Sequence, residues 1–335
     1  MNKIMNLNGK SFCVTGADGF IGSHLVELLV NHGANVKALV AYNSWNEIGW
    51  LKDINNDIFN QIEIVNGDIR DSDHMIEFVK GCDYVMHLSS LIAIPYSYHA
   101  PRSYVETNIT GALNIVQACR KSETLTRLLH VSTSETYGTA QYVPIDENHP
   151  LVGQSPYSAS KIGADKIVES FNLSFNLPVV IARPFNTFGP RQTARAVIPT
   201  IASQLIMRKK QIHLGALSPT RDFNFVTDTA RAMLELVLTE NNNGEVFNIG
   251  SGEEWSIEQT FRILSEISGY DALIVSDEKR VRPTKSEVNR LLADNSKIKK
   301  YTSWNSEISF RKGLEITYEW IEKNIHLFDI DDYAK

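Results

Sequence analysis

The chain contains few cysteines, and their placement argues against a protein stapled by disulfides. Its 335 residues include only Cys13, Cys82 and Cys119, which are odd in number and far apart. Small secreted domains held by disulfides carry dense, paired cysteines instead. Cys13 lies in an apolar run that predicts a strand, so we expect a buried free thiol. This usage is typical of a reducing compartment, and we predict a cytoplasmic protein.

Long apolar runs are missing as well. No segment approaches the roughly 18–20 consecutive apolar residues that a membrane-spanning helix requires. Residues 1–10 are polar and lack the apolar centre of a secretory signal peptide. The sequence therefore predicts no membrane association.

Positive charge is in slight deficit, which argues against a nucleic-acid partner. Lysine and arginine total 33 against 39 acidic residues, giving a net charge of −6. Binding to a phosphate backbone normally requires a basic surface. The basic run RKK at 208–210 follows an apolar helical pattern and is explained by a solvated helix end. The nine histidines show no metal-ligand spacing, so we predict no metal site.

Short apolar runs alternate with helical patterns through the first half of the chain. Strands are predicted at 11–15, 36–40, 62–65, 84–88, 128–132 and 179–182, and helices at 21–31, 72–80 and 113–121. This alternation predicts an α/β fold, a Rossmann-type doubly wound parallel sheet with right-handed crossovers.

Beyond Pro184 the alternation becomes irregular and turn-rich, which indicates a smaller α/β lobe. The run VFNI at 246–249 predicts one more strand that returns to the first sheet. We therefore divide the chain into a dinucleotide-binding domain and a partly interleaved C-terminal substrate lobe. The first comprises residues 1–184 with about 225–250, and the second comprises 185–224 and 251–335.

The motif TGADGFIG follows the first predicted strand and opens a helix. The spacing of its glycines is typical of a turn that binds a dinucleotide. Gly16 allows a tight turn, Gly19 lets a diphosphate approach the backbone, and Gly22 lets the helix pack on the strand. The first amides of the helix, from Phe20 and Ile21, can then bind phosphate together with the helix dipole. The motif predicts an NAD(P) site.

The end of the second predicted strand bears on the choice between NAD and NADP. An acidic residue that binds a ribose hydroxyl is expected there, but the chain reads VAYNS. NADP is therefore not excluded. We expect NAD, because no positive charge there compensates a 2′-phosphate and because Asn43 or Ser44 can bond a ribose hydroxyl. Asp68 and Ile69, after the third strand, are candidates for the adenine contact, with a turn or helix cap as the alternative for Asp68.

A tyrosine and a lysine four residues apart occur in the motif YSASK. This spacing places Tyr157 and Lys161 on one face of a predicted helix. A phenol ordinarily has a pKa near ~10, and a neighbouring ammonium lowers it, so Tyr157 can act as a general base. Upstream, Thr133, Ser134 and Glu135 add two hydroxyls and a carboxylate. The pattern predicts proton transfer beside a hydride acceptor; the alternative is a surface pair on an amphipathic helix.

Taken together, the motifs resemble those of the extended short-chain dehydrogenase/reductase family, in its NAD-dependent epimerase/dehydratase branch. The segments that carry this resemblance, across essentially the whole chain, are TGADGFIG, HLSS, STSETYG, YSASK, RPFNTFGPR and RDFNFV. Three longer segments are more similar to 4,6-dehydratases that act on nucleotide-linked N-acetylglucosamine in legionaminic acid biosynthesis. They are TAQYVPIDENHPLVGQSPYSASKIGADK, GPRQTARAVIPTI and RPTKSEVNRLLADNSKI.

The resemblance implies a lyase that converts UDP- or GDP-linked N-acetylglucosamine to a 4-keto-6-deoxy sugar nucleotide with tightly bound, recycled NAD. In such an enzyme Tyr157 takes the O4 proton, Lys161 holds the nicotinamide ribose and Thr133 hydrogen-bonds O4. Hydride leaves C4, Glu135 removes the C5 proton, water leaves C6, and the hydride returns to C6. No external reductant is then needed.

The resemblance also implies binding residues and a partner. Leu88 and Ser89, in HLSS, would line the cofactor site. The nucleotide sugar would be held by Asn186, Arg191, Arg195, Arg221 and Arg282, with a surface salt bridge as the alternative for any one arginine. The helix at 104–120 and the helix after YSASK would form a homodimer interface.

One position departs from the better-known dehydratases. They carry an aspartate between the threonine and the glutamate, where this chain has Ser134. That aspartate protonates the departing hydroxyl, so here Glu135 would act alone, through Ser134, or through water. The same Thr-Ser-Glu triplet resembles UDP-glucuronate decarboxylases, which oxidise C4 but release carbon dioxide. A nucleotide-sugar 4-epimerase and a non-catalytic redox sensor are further alternatives, and the choice of UDP or GDP is left open.

Overall fold

The computed structural model describes residues 6–277, 280 and 283–328, and its elements alternate as predicted over the first half of the chain. The strands are β1 (Ser11–Thr15), β2 (Asn35–Ala41), β3 (Ile62–Gly67), β4 (Tyr84–His87), β5 (Arg127–Val131), β6 (Val179–Pro184), β7 (Asn186–Phe188), β8 (Gln211–Leu214), β9 (Thr220–Phe225), β10 (Val246–Ile249), β11 (Glu254–Ser256), β12 (Leu273–Ser276) and β13 (Arg290–Leu291). The α-helices are α1 (Phe20–Asn31), α2 (Asn56–Phe59), α3 (Ser72–Val79), α4 (Ile94–His99), α5 (Pro101–Tyr104), α6 (Gly111–Lys121), α7 (Pro156–Phe175), α8 (Val197–Ile206), α9 (Val226–Leu238), α10 (Ile257–Ser268), α11 (Ser296–Tyr301) and α12 (Phe310–Lys323).

Seven strands form the main sheet, in the order β10-β6-β5-β4-β1-β2-β3. Every neighbouring pair in it is parallel. The predicted α/β fold with a doubly wound parallel sheet is therefore confirmed. The order reverses between β1 and β4, and ligands of such sheets bind in the crevice at this switch point, beyond the carboxyl ends of the strands.

Helices cover both faces of this sheet, which is why β4, β5 and β6 are buried at every position. On one face Phe12 packs with Leu25 of α1 and Met233 of α9. On the other face, α3, α6 and α7 contribute side chains such as Phe78 and Ile115. The two layers hold the ends of β1, β4 and β5 in fixed positions.

A smaller lobe follows β6, built on β9, which pairs with β7, β11 and β13, and on the pair β8–β12. Its core includes Phe188, Phe223 and Phe310, with the last two rings stacked at 5.2 Å. β10 returns to the main sheet beside β6, as the sequence indicated for this run. The domain boundaries drawn from the sequence stay a prediction.

A π-helical turn joins α5 to α6. Its six residues, Val105–Thr110, make wider hydrogen bonds than an α-helix, a feature that is frequent near functional sites. The turn carries Asn108 inward, where its side chain bonds the backbone nitrogen and oxygen of Leu91 at 2.8 and 3.0 Å and the Ser160 hydroxyl at 2.9 Å. Asn108 thereby ties the loop after β4 to α7.

The expectation of a free thiol at Cys13 is wrong. Cys13 in β1 and Cys82, just before β4, form a disulfide between positions separated by 69 residues. Cys119 is a buried thiol whose pKa burial raises. The sequence could not indicate the pair, because β1 and β4 become neighbours only when the sheet forms.

No helix among the described residues is long and apolar enough to cross a membrane. The longest of them, α7, has 20 residues and carries charged side chains, of which Lys161 and Asp165 are buried and Lys166 is exposed. Across the same parts of the chain, no group of three or more His, Cys, Asp or Glu side chains is placed to hold a metal ion.

Candidate active site

The loop after β1 lies at the switch point and contacts the loop after β4. Gly16 has a φ of 67°, and a Cβ on it would lie 2.9 Å from the backbone nitrogen of Ser89. The Thr15 hydroxyl accepts hydrogen bonds from the backbone nitrogens of Leu88 and Ser89, each at 3.1 Å. Gly22 packs α1 on this turn, since its Cβ would be 2.0 Å from the Gly16 carbonyl oxygen. Three predicted cofactor residues, Gly16, Leu88 and Ser89, thus meet at one point.

The N-terminus of α1 opens on the same crevice. Its N-cap is Gly19, no described side chain caps it, and its first turn contains no acidic residue. The first amides of the helix, which include those of Phe20 and Ile21, are therefore available to a ligand, and the helix dipole favours an anion. The diphosphate of a dinucleotide fits this position.

The predicted adenine contacts follow β3. An open cavity of about 530 Å³ is bordered here by Asp68, Arg70, Asp71, Glu106 and Thr110. Hydrogen bonding by Arg70 lowers the pKa of Asp68. Ile69 is buried, and its carbonyl accepts a hydrogen bond from Asn114 of α6 at 3.1 Å. Asp68 therefore borders this cavity, while Ile69 is buried against α6, and the adenine contact expected for both stays a prediction.

Asn43 organises the loop after β2. Its side-chain oxygen accepts from the backbone nitrogens of Trp45 and Glu47, at 3.2 and 2.9 Å. Its side-chain nitrogen donates to the carbonyls of Ala41 and Glu47, at 3.2 and 2.8 Å. The side chain thus shapes the loop, and the ribose contact expected for Asn43 stays a prediction.

Three of the predicted catalytic residues converge where α7 faces the 3₁₀ turn Ser134–Tyr137. Tyr157 is buried, at 7% exposure. Burial raises the pKa of its phenol, a hydrogen bond with the Thr133 side chain lowers it, and the charge of Glu135 raises it further. Thr133 also accepts from the Glu135 backbone nitrogen at 3.2 Å, which fixes the start of the turn. Thr133, Glu135 and Tyr157 therefore lie together, with Ser134 buried between the first two.

The start of α7 sets the position of Tyr157. Ser155 and Ser158 form a capping box, in which each hydroxyl accepts from the other residue's backbone nitrogen, at 3.1 and 3.0 Å. Pro156 occupies the first helical position, which its fixed φ suits. Tyr157 follows at once, and the Tyr104 ring packs edge-on against it at 6.2 Å.

Lys161 lies one turn further along α7 and is almost fully buried. Its Nζ donates to the Val131 carbonyl at 2.7 Å. Burial lowers the pKa of Lys161 to about 8, while the charge of Asp165 acts to raise it. The expected net lowering of the Tyr157 pKa is corrected here, because burial of the phenol dominates and raises that pKa.

A buried ionic network underlies Lys161, and sequence reasoning missed it. Asp165 accepts from the Ser132 hydroxyl at 2.8 Å and from two Arg183 nitrogens at 3.2 and 3.0 Å. His130 lies 3.4 Å away. Burial alone would raise the pKa of Asp165, but the nearby His130 ring and the charge of Arg183 hold it at about 2. The four-residue step from Lys161 to Asp165, equal to that from Tyr157 to Lys161, was a signal that could have found it.

Three of the predicted substrate residues, Asn186, Arg221 and Arg195, lie in different surroundings. The Asn186 side-chain oxygen is buried and has no hydrogen-bond partner among the described residues. Arg221 donates to the Thr220 carbonyl at 2.9 Å and to Glu287 at 3.4 Å. Arg195 is exposed, and its charge lowers the pKa of the Tyr104 hydroxyl, which burial raises to about 12.

Two other predicted arginines stand apart from this group. Arg191 forms a bidentate ion pair with Glu27 of α1, at 2.7 and 3.0 Å, and donates to the Ser23 hydroxyl at 3.2 Å. It thereby ties the segment after β7 to α1. Arg282 lies outside the described residues.

The geometry has a counterpart among known proteins. A family model described as GDP-mannose 4,6 dehydratase matches residues 13–317. The chain belongs to this family. It is accordingly a member of the extended short-chain dehydrogenase/reductases, as the motifs indicated, while the closer similarity to legionaminic acid enzymes stays a prediction.

Individual relatives include both dehydratases and epimerases. Human dTDP-D-glucose 4,6-dehydratase is 29% identical over 326 residues, covering 95% of this chain and 91% of that protein. A UDP-glucuronic acid 4-epimerase from Bacillus cereus, solved with UDP-glucuronic acid and NAD, superimposes with a TM-score of 0.84 at 27% identity, covering 94% and 99% of the two chains. A double mutant of dTDP-glucose 4,6-dehydratase from Streptomyces venezuelae, solved with NAD, gives 0.81 at 28% identity, covering 93% and 97%.

Proposed function

We propose that the protein is an NAD-dependent 4,6-dehydratase that acts on N-acetylglucosamine linked to UDP or GDP. The observation that carries the proposal is the position of the Glu135 carboxylate next to the paired hydroxyls of Thr133 and Tyr157. A base that takes a proton from a hydroxyl and a second base beside it suit oxidation at C4 followed by proton removal at C5. Membership in a dehydratase family supports this choice.

The cofactor of this proposal is NAD, which both solved relatives named above contain. The amides at the start of α1 bind its diphosphate. Gly16, where a Cβ would collide with Ser89, lets the loops after β1 and β4 meet beside it. NAD supplies the hydride acceptor for C4 and the hydride donor for C6. Lys161 holds the nicotinamide ribose from α7.

Proton transfer from O4 falls to Tyr157 and Thr133. The Thr133 hydroxyl bonds the phenol and accepts from the Glu135 amide, which leaves one hydrogen-bonding position with which to hold O4. Burial raises the pKa of Tyr157, so a nearby positive charge is needed for it to act as a base at neutral pH. Lys161 supplies that charge from the same side of α7, and Asp165 helps to keep it protonated.

Glu135 removes the C5 proton, which is acidic once C4 is a ketone. The loss of water from C6 also needs a proton donor. Ser134 occupies the position where better-known dehydratases carry an acid, and it is buried beside Glu135. We infer that Glu135, after taking the C5 proton, delivers a proton to the leaving hydroxyl directly, through the Ser134 hydroxyl, or through a water molecule.

The nucleotide diphosphate is held by cations of the smaller lobe. We assign this role to Arg195, Arg221 and Arg282. The Asn186 side-chain oxygen, which has no hydrogen-bond partner among the described residues, would accept from a hydroxyl or N–H group of the nucleotide sugar. Arg191 is left out of the set because Glu27 already engages its guanidinium in a bidentate pair.

We also propose that the enzyme works in the cytoplasm as a homodimer through the α5–α6 helix and α7. These helices leave apolar side chains in water, with Val105 50% and Leu173 76% exposed. Light scattering after size-exclusion chromatography should give twice the chain mass, and a monomer mass at micromolar concentration would contradict the assignment.

Incubation with UDP- and GDP-linked N-acetylglucosamine, followed by mass spectrometry, tests the proposed activity. Loss of one water from either substrate is expected, and an unchanged mass for both would contradict it. An epimerase, favoured by the Bacillus cereus structure, leaves the mass unchanged and alters the C4 configuration seen by NMR. A decarboxylase, favoured by the Thr-Ser-Glu triplet, releases carbon dioxide from UDP-glucuronate instead.

A further inference from the structure

The carboxylate of Asp18 lies at the end of β2, where the sequence itself places no acidic residue. Asp18 belongs to the glycine loop after β1, yet the backbone amide of Ala41, the last residue of β2, acts on its carboxylate and lowers its pKa. Burial raises the pKa of Asp18, and the backbone amides of Asp18 and Ala41 oppose the shift. In dinucleotide-binding folds, the acidic residue that receives a ribose hydroxyl normally follows β2. Here a carboxylate reaches the same strand end from the neighbouring loop.

The segment after β2 fixes Asp18 from a second side. The Trp50 backbone nitrogen donates to the Asp18 carbonyl at 3.0 Å. Gly49, with a φ of 54°, approaches so closely that a Cβ on it would lie 2.5 Å from that carbonyl oxygen and 2.9 Å from the Asp18 Cβ. Only glycine suits this approach without strain. The loop therefore holds Asp18 beside the end of β2.

Two other polar side chains along this edge of the sheet are engaged elsewhere. The Asn43 amide is used by the backbone of its own loop on both its oxygen and its nitrogen. Arg70, after β3, is paired with the Asp68 carboxylate. A ligand phosphate at the end of β2 would meet the charge of Asp18, while Arg70 is held by a carboxylate of its own.

We propose that Asp18 is the residue that selects NAD over NADP. Its carboxylate accepts a hydrogen bond from a ribose hydroxyl of NAD and repels the 2′-phosphate of NADP. Asp18 of the glycine loop thus takes the role of the acidic residue that is expected after β2 and is missing there. The role of Asp18 concerns the cofactor alone, so its test does not depend on which nucleotide sugar the enzyme uses.

The test compares the binding of NADH and NADPH to the full chain freed of nucleotide, by fluorescence titration. Asp18→Asn keeps the shape of the side chain and removes its charge. Asp18→Ser removes the charge and also shortens the side chain. Asp53→Asn is the matched control, because Asp53 is an exposed carboxylate on the adjacent turn Gly49–Asp53. Mass spectrometry of the dinucleotide retained during purification gives a second readout.

Wild type and Asp53→Asn are expected to retain NAD and to bind NADH at least a hundredfold more tightly than NADPH. In Asp18→Asn the ratio of the two dissociation constants should shift at least tenfold toward NADPH, because NADPH binding tightens. Asp18→Ser should shift it in the same direction. An unchanged ratio in both variants, an equal weakening of both dinucleotides, or wild-type protein that binds NADPH as well as NADH would overturn the proposal.

Discussion

The buried ammonium of Lys161 should make the protein more stable as the pH rises above 8. Burial lowers its pKa from 10.5 to about 8, so between these values the unfolded chain binds a proton that the folded protein releases. Folding stability therefore rises with pH across that interval. Integrated from pH 7 to pH 9.5, the gain is about 2 kcal/mol in the free energy of unfolding.

Lys161→Met removes this titration and should remove the gain. The free energy of unfolding of nucleotide-free wild type and variant is measured by urea denaturation at pH 7 and at pH 9.5. The gain is the amount by which the difference between the two proteins changes from pH 7 to pH 9.5. Groups that titrate in both proteins cancel in that difference. Lys166→Met, which replaces an exposed lysine of α7 that pairs with Glu169 at 2.6 Å, should behave as wild type. If wild type and Lys161→Met showed the same pH dependence, the assignment of a strongly perturbed ammonium would be refuted.

Three further substitutions probe the site and its frame. Glu135→Gln should still transfer hydride from C4, seen as the absorbance of reduced nicotinamide, but should lose water elimination at least a hundredfold; full turnover would refute Glu135 as the C5 base. Gly22→Ala places a Cβ 2.0 Å from the Gly16 carbonyl oxygen, so it should lower the free energy of unfolding by about 1–3 kcal/mol and weaken NADH binding. The control Gly163→Ala, whose Cβ would meet only the flexible side-chain end of Ile109, should do neither. Asp222→Asn should lower the free energy of unfolding, measured by urea denaturation, by about 2 kcal/mol. The buried carboxylate accepts four hydrogen bonds, and the amide nitrogen of asparagine would face some of these donors. A decrease of less than about 0.5 kcal/mol would contradict this reasoning.

The sequence predicted those features that arise from residues close together in the chain. The strand–helix alternation gives the parallel sheet, because apolar periodicity reports which face of each element is buried. The glycine spacing in TGADGFIG gives the turn over which α1 begins. The step of four from Tyr157 to Lys161 gives their shared helix face. Each of these depends on local geometry that a single sequence carries.

Contacts between distant segments could not be predicted in this way. The sequence, which predicted a substrate contact for Arg191, did not indicate its ion pair with Glu27, 164 positions away, because only the fold brings the two together. The charge of Asp18 reaches β2 only because two loops meet at the edge of the sheet. The phenol of Tyr157 was expected to have a lowered pKa because the lysine is near in sequence, whereas the degree of burial, which the fold sets, raises it.

The fate of the C4 hydride tests the proposed reaction most directly. Nucleotide-linked N-acetylglucosamine labelled with deuterium at C4 is incubated with the enzyme, and the product is examined by mass spectrometry and NMR. A 4,6-dehydratase must lose one water and carry the deuterium at C6, and we predict this result. Deuterium that returns to C4 in a product of unchanged mass would show an epimerase and would contradict the account.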